Sequence, residues 1–270
     1  MKTDSCWQWK EVSADTWTVW NADQLELKVR QDHGELISRI AYHRGREQNI
    51  SCTQEDYSGN GNPPAWEEGT SGSHYLIGRK TRVCLKPVLP DRPLVLKPVT
   101  PRKIPPGSKV QLVFFIPVWL QLLIERNSGE FRLDEYPARV LSSTWFGEMQ
   151  SGELCYTLDT ELYQDAHKTP EYGYLAACML NIQNNSHSLL DFSRMAVHVE
   201  HLSLFKNGTG LFTNEVSINF NGVEQISQVK YSPRGPREIE GLRKISGPRL
   251  AYSNNLLKRS FSFFRQLTEI

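Results

Sequence analysis

The residues most suggestive of chemistry are the run His198, Val199, Glu200, His201, two imidazoles and a carboxylate within four positions. That donor set suits a transition metal, provided all three side chains converge. The surrounding stretch RMAVHVEHL places Val197 and Val199 in alternation with polar residues, which predicts a strand. On a strand, residues three apart point to opposite faces. His198 is therefore expected to face solvent and His201 to be half-buried, with no metal between them. Adjacent acids occur at Glu55 and Asp56, Glu67 and Glu68, and Asp134 and Glu135. Glycosidase chemistry needs two carboxylates facing each other across a bond, and adjacency along the chain does not supply that. Cys155 would act as a nucleophile only beside a base, and the nearest histidine in sequence is His167. A buried structural thiol is the expectation. The sequence holds no GxSxG, no GxxxxGK[ST] and no HExxH. A hydrolase would have to rely on His74 or His167 as its base. No enzyme is expected, and no cofactor is implied.

One stretch mixes residues that bind ligands. From 53 to 74, TQEDYSGNGNPPAWEEGTSGSH combines Glu55, Asp56, Glu67 and Glu68 with Trp66. Indole rings stack on sugars and hard cations take carboxylate oxygens, so a long loop of this composition could bind carbohydrate or calcium. The other reading is a plain solvated loop.

The elements that must position these residues read as strands. Leu25, Leu27 and Val29 alternate with polar residues, as do Val83 and Leu85, and Val216, Ile218 and Phe220. Each apolar set falls on one face. Turn chemistry separates the runs at Asp32 to Gly34, Asn127 to Gly129, Gly147 to Gly152, Asn184 to Ser186, Asn207 with Gly208, and Asn221 with Gly222. With no helical stretches between them, these strands predict an all-β fold, an antiparallel two-sheet β-sandwich. The body spans 1–232 as one unit or as two lobes divided near residue 100. The proline-rich stretch from Pro87 to Pro106 is expected to form edge strand or connector, because proline removes ladder donors. The apolar run from Val110 to Ile124 holds Pro117, Gln111 and Gln121. It is shorter than the roughly 20 residues of a spanning helix, so a buried strand bent at Pro117 is predicted.

With 270 residues, 39% of them apolar, the chain can bury a sizeable core. Its five cysteines, Cys6, Cys52, Cys84, Cys155 and Cys178, show no paired spacing. That pattern predicts neither a disulfide framework nor a zinc knuckle. The start MKTDSCWQWKEV has no apolar segment of the signal-peptide kind, so a cytoplasmic location is expected and the sequons at Asn49, Asn184 and Asn207 are expected to stay unmodified.

Net charge is +1, yet it is unevenly spread. From Ser227 to the end nine basic residues stand against three acids, while the rest of the chain carries 22 basic against 27 acidic residues. An acidic body argues against nucleic acid as a partner. Residues 233–270 read as a basic C-terminal extension. After Asn254, Leu257, Phe261 and Phe264 recur at helical spacing with Lys258, Arg259 and Arg265 between them, which predicts a short amphipathic helix. Its apolar stripe either packs back on the body or docks elsewhere. On the docking reading Arg243, Lys244 and Arg249 join those six residues as the partner-binding set.

Residues from about Pro105 to Tyr163 carry a further signal: an apolar strand with proline (Phe114, Phe115, Ile116, Pro117), the turn from Gly147 to Gly152, then a strand with Cys155 and Tyr156. This pattern resembles a prokaryotic domain family of unknown function often encoded near small-conductance mechanosensitive channels. The resemblance implies a non-enzymatic β-domain acting as an accessory or regulatory subunit alongside such a channel. With the basic tail, the expectation becomes a cytoplasmic module that binds a channel homo-oligomer and makes peripheral contact with the anionic inner membrane.

Overall fold

The structure, a computed structural model, describes residues 2–45, 48–56, 71–127, 129–147, 149–150, 152–222 and 228–251. The fold is all-β: among the described residues the only helical elements are 3₁₀ turns at Lys2–Trp7 and Val199–His201. No described helix is long and apolar enough to cross a membrane. The chain forms two compact units from interleaved segments. One takes Met1–Val88, Val118–Val140 and Tyr172–Tyr174, and the other takes Leu89–Pro117, Leu141–Glu171 and the chain from Leu175 onward.

The first unit contains an antiparallel five-stranded sheet in the order Ser51–Asp56, Thr16–Ala22, Leu25–Asp32, Glu35–Tyr42, Ser71–Leu76. Leu25, Leu27 and Val29 are fully buried, as the alternation predicts. The hairpin after Asp32 turns through His33 (φ 42°) and Gly34 (φ 85°), the left-handed pair that matches strand twist. Trp20 anchors the core and donates its indole N–H to the Cys6 carbonyl at 3.2 Å. The outer strands reach into the stretch expected to be loop, covering residues 53–56 and 71–74. Their polar side chains are what exposed sheet edges tolerate. A second sheet in this unit is led by Arg82–Val88 and Trp119–Arg126. Pro87 is accommodated there because the other neighbour, Lys10–Glu11, pairs only as far as Val83.

The second unit is organised by the ten-residue strand Leu175–Asn184. Along one edge it pairs antiparallel with Lys109–Pro117 over nine residues. Along the other it pairs in parallel with Leu211–Thr213 and Val216–Phe220. Leu94–Pro98 likewise pairs in parallel with Glu153–Thr160. These contacts correct the expectation of antiparallel pairing throughout, and the described strands fall into five sheets by hydrogen bonding. Side-chain alternation reports which face is buried and is silent on strand direction. Leu94–Pro98 also corrects the expectation of edge strand, since it has neighbours on both sides. Pro93 precedes the strand and Pro98 ends it, leaving Val95 to Lys97 free to donate. The Val110 to Ile124 run divides at Val118 into two strands, Lys109–Pro117 and Trp119–Arg126.

Strand Leu175–Asn184 ends on a side chain with every polar position in use. Asn184 is fully buried and donates to the carbonyls of Ile104 and Ser188, each at 2.9 Å. Its Oδ1 accepts from the Ser186 amide at 3.0 Å and the Ser186 hydroxyl at 2.7 Å. Both amide hydrogens are engaged, so this sequon is closed in the folded chain. Asn184→Ala should lower unfolding free energy by about 3 kcal/mol in urea titration, because it strands buried carbonyls and an amide. Asn185→Ala, on the exposed side of the same turn, should change it by less than about 0.5 kcal/mol.

Candidate functional site

Strands Lys109–Pro117, Leu175–Asn184, Val216–Phe220 and Gln228–Tyr231 lie side by side, and their register aligns polar residues into two rows. One row runs Gln111, Asn181, Ser217, Lys230, and the next runs Lys109, Gln183, Asn219. The alternate residues Leu180, Ile182, Val216, Ile218 and Phe220 are buried on the opposite face. Farther along, the polar face turns apolar at Val113, Ala177, Met179 and Phe212, where Tyr163, Ala166, Ile239 and Leu242 cover it. The cover ends at Arg237 and Glu238. Beyond it the polar rows form the floor of an open groove of about 850 Å³.

Within the groove Glu215 is a fixed acceptor. It takes the Arg237 amide at 3.0 Å and the Asn181 side-chain amide at 3.4 Å. Gln111 reaches both the Met179 sulfur at 3.0 Å and Glu238 at 3.4 Å. The lining is rich in amides and hydroxyls, with Lys109, Lys230 and Arg237 balancing Glu215 and Glu238. Such a surface hydrogen-bonds a polar or extended ligand along the strands. Sequence reading missed this groove, although SINFN, with polar Ser217 and Asn219 between buried residues, carried half of it.

The residues expected to bind a partner or ligand divide by what the structure describes. Arg243 and Lys244 are exposed on the outer strand Arg243–Ser246. Arg249 is half-buried and donates Nε to the Leu89 carbonyl at 2.7 Å. Leu257, Lys258, Arg259, Phe261, Phe264, Arg265 and the tail helix lie outside the described residues, as do Trp66, Glu67 and Glu68. Glu55 pairs with Lys28 at 2.9 Å and Asp56 is exposed on the same edge strand. His74 lies 3.1 Å from Glu35, and both are exposed.

The HVEH run departs from expectation. Residues Val199–His201 form a 3₁₀ turn instead of continuing the strand Met195–Val197. His198 and His201 therefore fall on one side, and both are buried, with Glu200 buried beside them. His198 titrates above its ordinary value. Burial works against its charge, but the hydrogen bond and negative charge of Glu200, and the charge of Glu153, outweigh it. Glu153 is also raised, because its own burial outweighs the attraction of His198.

An all-β protein with a polar, sheet-borne groove is the class these features define. The chain belongs to the DUF432 family, described as a protein of unknown function, whose pattern matches residues 7–265. The match takes in nearly the whole chain, where the resemblance rested on residues 105 to 163. No curated protein and no solved structure matches it.

The cysteines behave as packing residues. Cys155 is fully buried and donates weakly to the Glu153 carbonyl at 3.7 Å. Burial pushes the Cys155 and Cys178 thiols up to about 12 and the Cys84 thiol up to about 11. At pH 7.5 the thiolate fraction is then on the order of one in ten thousand. Iodoacetamide followed by peptide mass spectrometry should leave these three unmodified in the native protein and label all five cysteines in urea. Rapid native labelling of Cys155 would show that it is an activated thiol.

Proposed function

We propose that this DUF432 protein is a non-enzymatic interaction module, an accessory or regulatory subunit of a membrane protein such as a small-conductance mechanosensitive-type channel. It acts at the cytoplasmic face of the inner membrane. One observation carries the reading: Lys230, Arg234, Arg237, Arg243 and Lys244 are all exposed on a stretch held firmly to the second unit. Ile239 and Leu242 pack against the sheet, and Gly235 passes so close to strand Leu204–Lys206 that a Cβ there would lie 3.4 Å from Phe205. An array of cations fixed in this way steers an acidic partner into register. Each cation near an anionic leaflet adds about 1 kcal/mol of attraction. The family resemblance read from the sequence supplies the partner class. In this reading the sheets of each unit stack as sandwich layers, and the tail beyond Asn254 forms a short helix presenting Leu257, Phe261 and Phe264.

The packing of Ile239, Leu242 and Arg249 also dictates where a deletion should fall. Removing 252–270, or reversing charge with Arg243→Glu and Lys244→Glu, spares those anchors. Either change should reduce co-purification of the tagged protein with its membrane partner at least about tenfold, with the melting temperature unchanged. Full retention of the partner by both variants would refute the reading.

A second reading rests on the groove. Its ladder of side-chain amides suits a carbohydrate, in place of the acidic stretch at 53 to 74, where Glu55 is already engaged with Lys28. Asn181→Ala combined with Ser217→Ala should then abolish binding to any glycan retained on an array, while a blank array would remove this alternative.

A further inference from the structure

We propose that His198, Glu200 and His201 form a binding site for a divalent first-row transition cation, with Zn²⁺ as the ion it holds. One donor atom from each residue lies within 4.8 Å of the other two. The closest pair is His198 Nδ1 and Glu200 Oε1 at 2.9 Å, and His201 Nε2 stands 3.9 Å from the same oxygen. Ligands held at zinc bond lengths around a tetrahedron are separated by about 3.3 Å, so small side-chain rotations close the set. The 3₁₀ turn is the cause of this convergence, since three residues per turn place positions three apart above one another.

The surroundings are those of a ligand set held in place. A metal-binding imidazole characteristically donates its other N–H to a carboxylate or a backbone carbonyl. His201 Nδ1 lies 3.1 Å from the Leu250 carbonyl, which turns Nε2 toward Glu200. His198 Nε2 lies 3.3 Å from Glu153 Oε1, too far off the N–H direction for a hydrogen bond, with Nδ1 toward Glu200. The carbonyl of Glu200 is itself fixed, accepting the amides of Arg249 at 2.8 Å and Leu250 at 3.0 Å.

The second, independent indication is a buried carboxylate oxygen left without a partner. Glu200 is only 5% exposed, and its Oε2 has no hydrogen-bond partner among the described residues. A buried carboxylate oxygen in that condition calls for a cation. Two nitrogen donors and one oxygen favour zinc and its neighbours over magnesium or calcium. Three protein ligands leave a coordination position open to water or to a further ligand. Glu153, with 35% of its side chain exposed, marks the route in.

The test is calorimetric titration of the chelator-treated full chain with ZnCl₂, repeated with Co²⁺ for its visible spectrum. One equivalent should bind, and cobalt should show the absorption of a low-coordinate nitrogen- and oxygen-ligated ion. Glu200→Gln and His201→Ala should weaken zinc binding by more than about 100-fold, and Glu153→Gln, which removes a negative charge 3.3 Å from His198 Nε2, by about 3- to 10-fold. His187→Gln, an exposed histidine elsewhere, should leave it unchanged. Glu153 is partly exposed, so that variant keeps the test informative should the buried substitutions impair folding. Absence of a saturable site in the wild-type chain would overturn the proposal. So would wild-type affinity in the three site variants, or displacement of zinc by equimolar Mg²⁺ or Ca²⁺.

Discussion

Main-chain hydrogen bonding along both edges of Leu175–Asn184 is the constraint on which the second unit depends. A strand buried this deeply must pair its amides and carbonyls with other strands, because water does not reach them. Lys109–Pro117 satisfies one edge along nine residues. The other edge is satisfied piecewise, by 211–212 against 176–177 and by 216–220 against 180–184. The short interval between those two pieces sets Asn214 and Glu215 where they can turn side chains to backbone groups. Asn214 Oδ1 takes the Ser203 amide at 2.5 Å, and its Nδ2 donates to the Ser232 carbonyl at 2.6 Å. These bonds tie the break in the ladder to the chain at Ser203 and at Ser232, which lines the groove.

The groove and the histidine cluster share a physical origin. Each lies where a regular element stops and the chain must satisfy polar groups by other means. The groove opens where the apolar cover over Val113 and Met179 runs out and the floor turns to Gln111, Asn181 and Ser217. The cluster forms where Met195–Val197 gives way to a tight turn, whose carbonyl at Glu200 then receives the chain returning at Arg249 and Leu250. Polar residues at such junctions are buried without strand partners, and a ligand or ion can complete them.

Much of the fold was legible in the sequence. Alternation at Leu25, Leu27 and Val29 and at Val216, Ile218 and Phe220 names the buried faces correctly, because a period of two is a local property of the strand. His33 with Gly34 marks the hairpin between Leu25–Asp32 and Glu35–Tyr42 for the same local reason. Strand direction and neighbour choice were not legible, since Leu94–Pro98 finds its parallel partner just over sixty residues away, where Tyr156 stands opposite Leu94. The HVEH run misled for a sharper reason. Val197 and Val199 are both buried, so the alternation continues even though the backbone has already left the strand. The groove was half legible, as polar positions within SINFN, and its other half required knowing that Gln111 and Asn181 stand opposite one another.

The interleaving of the two units bears on how the protein is made. The chain enters the second unit at Leu89, leaves it at Val118, and re-enters at Leu141 and again at Leu175. Strand Lys109–Pro117 therefore leaves the ribosome well before its full-length partner at 175–184, and its apolar face has nothing native to cover it in the meantime. During that interval Phe114 and Ile116 are open to chaperones and to neighbouring nascent chains. A polypeptide cut at any single point would inherit an orphaned strand, so isolating either unit calls for rejoining its segments in a new order.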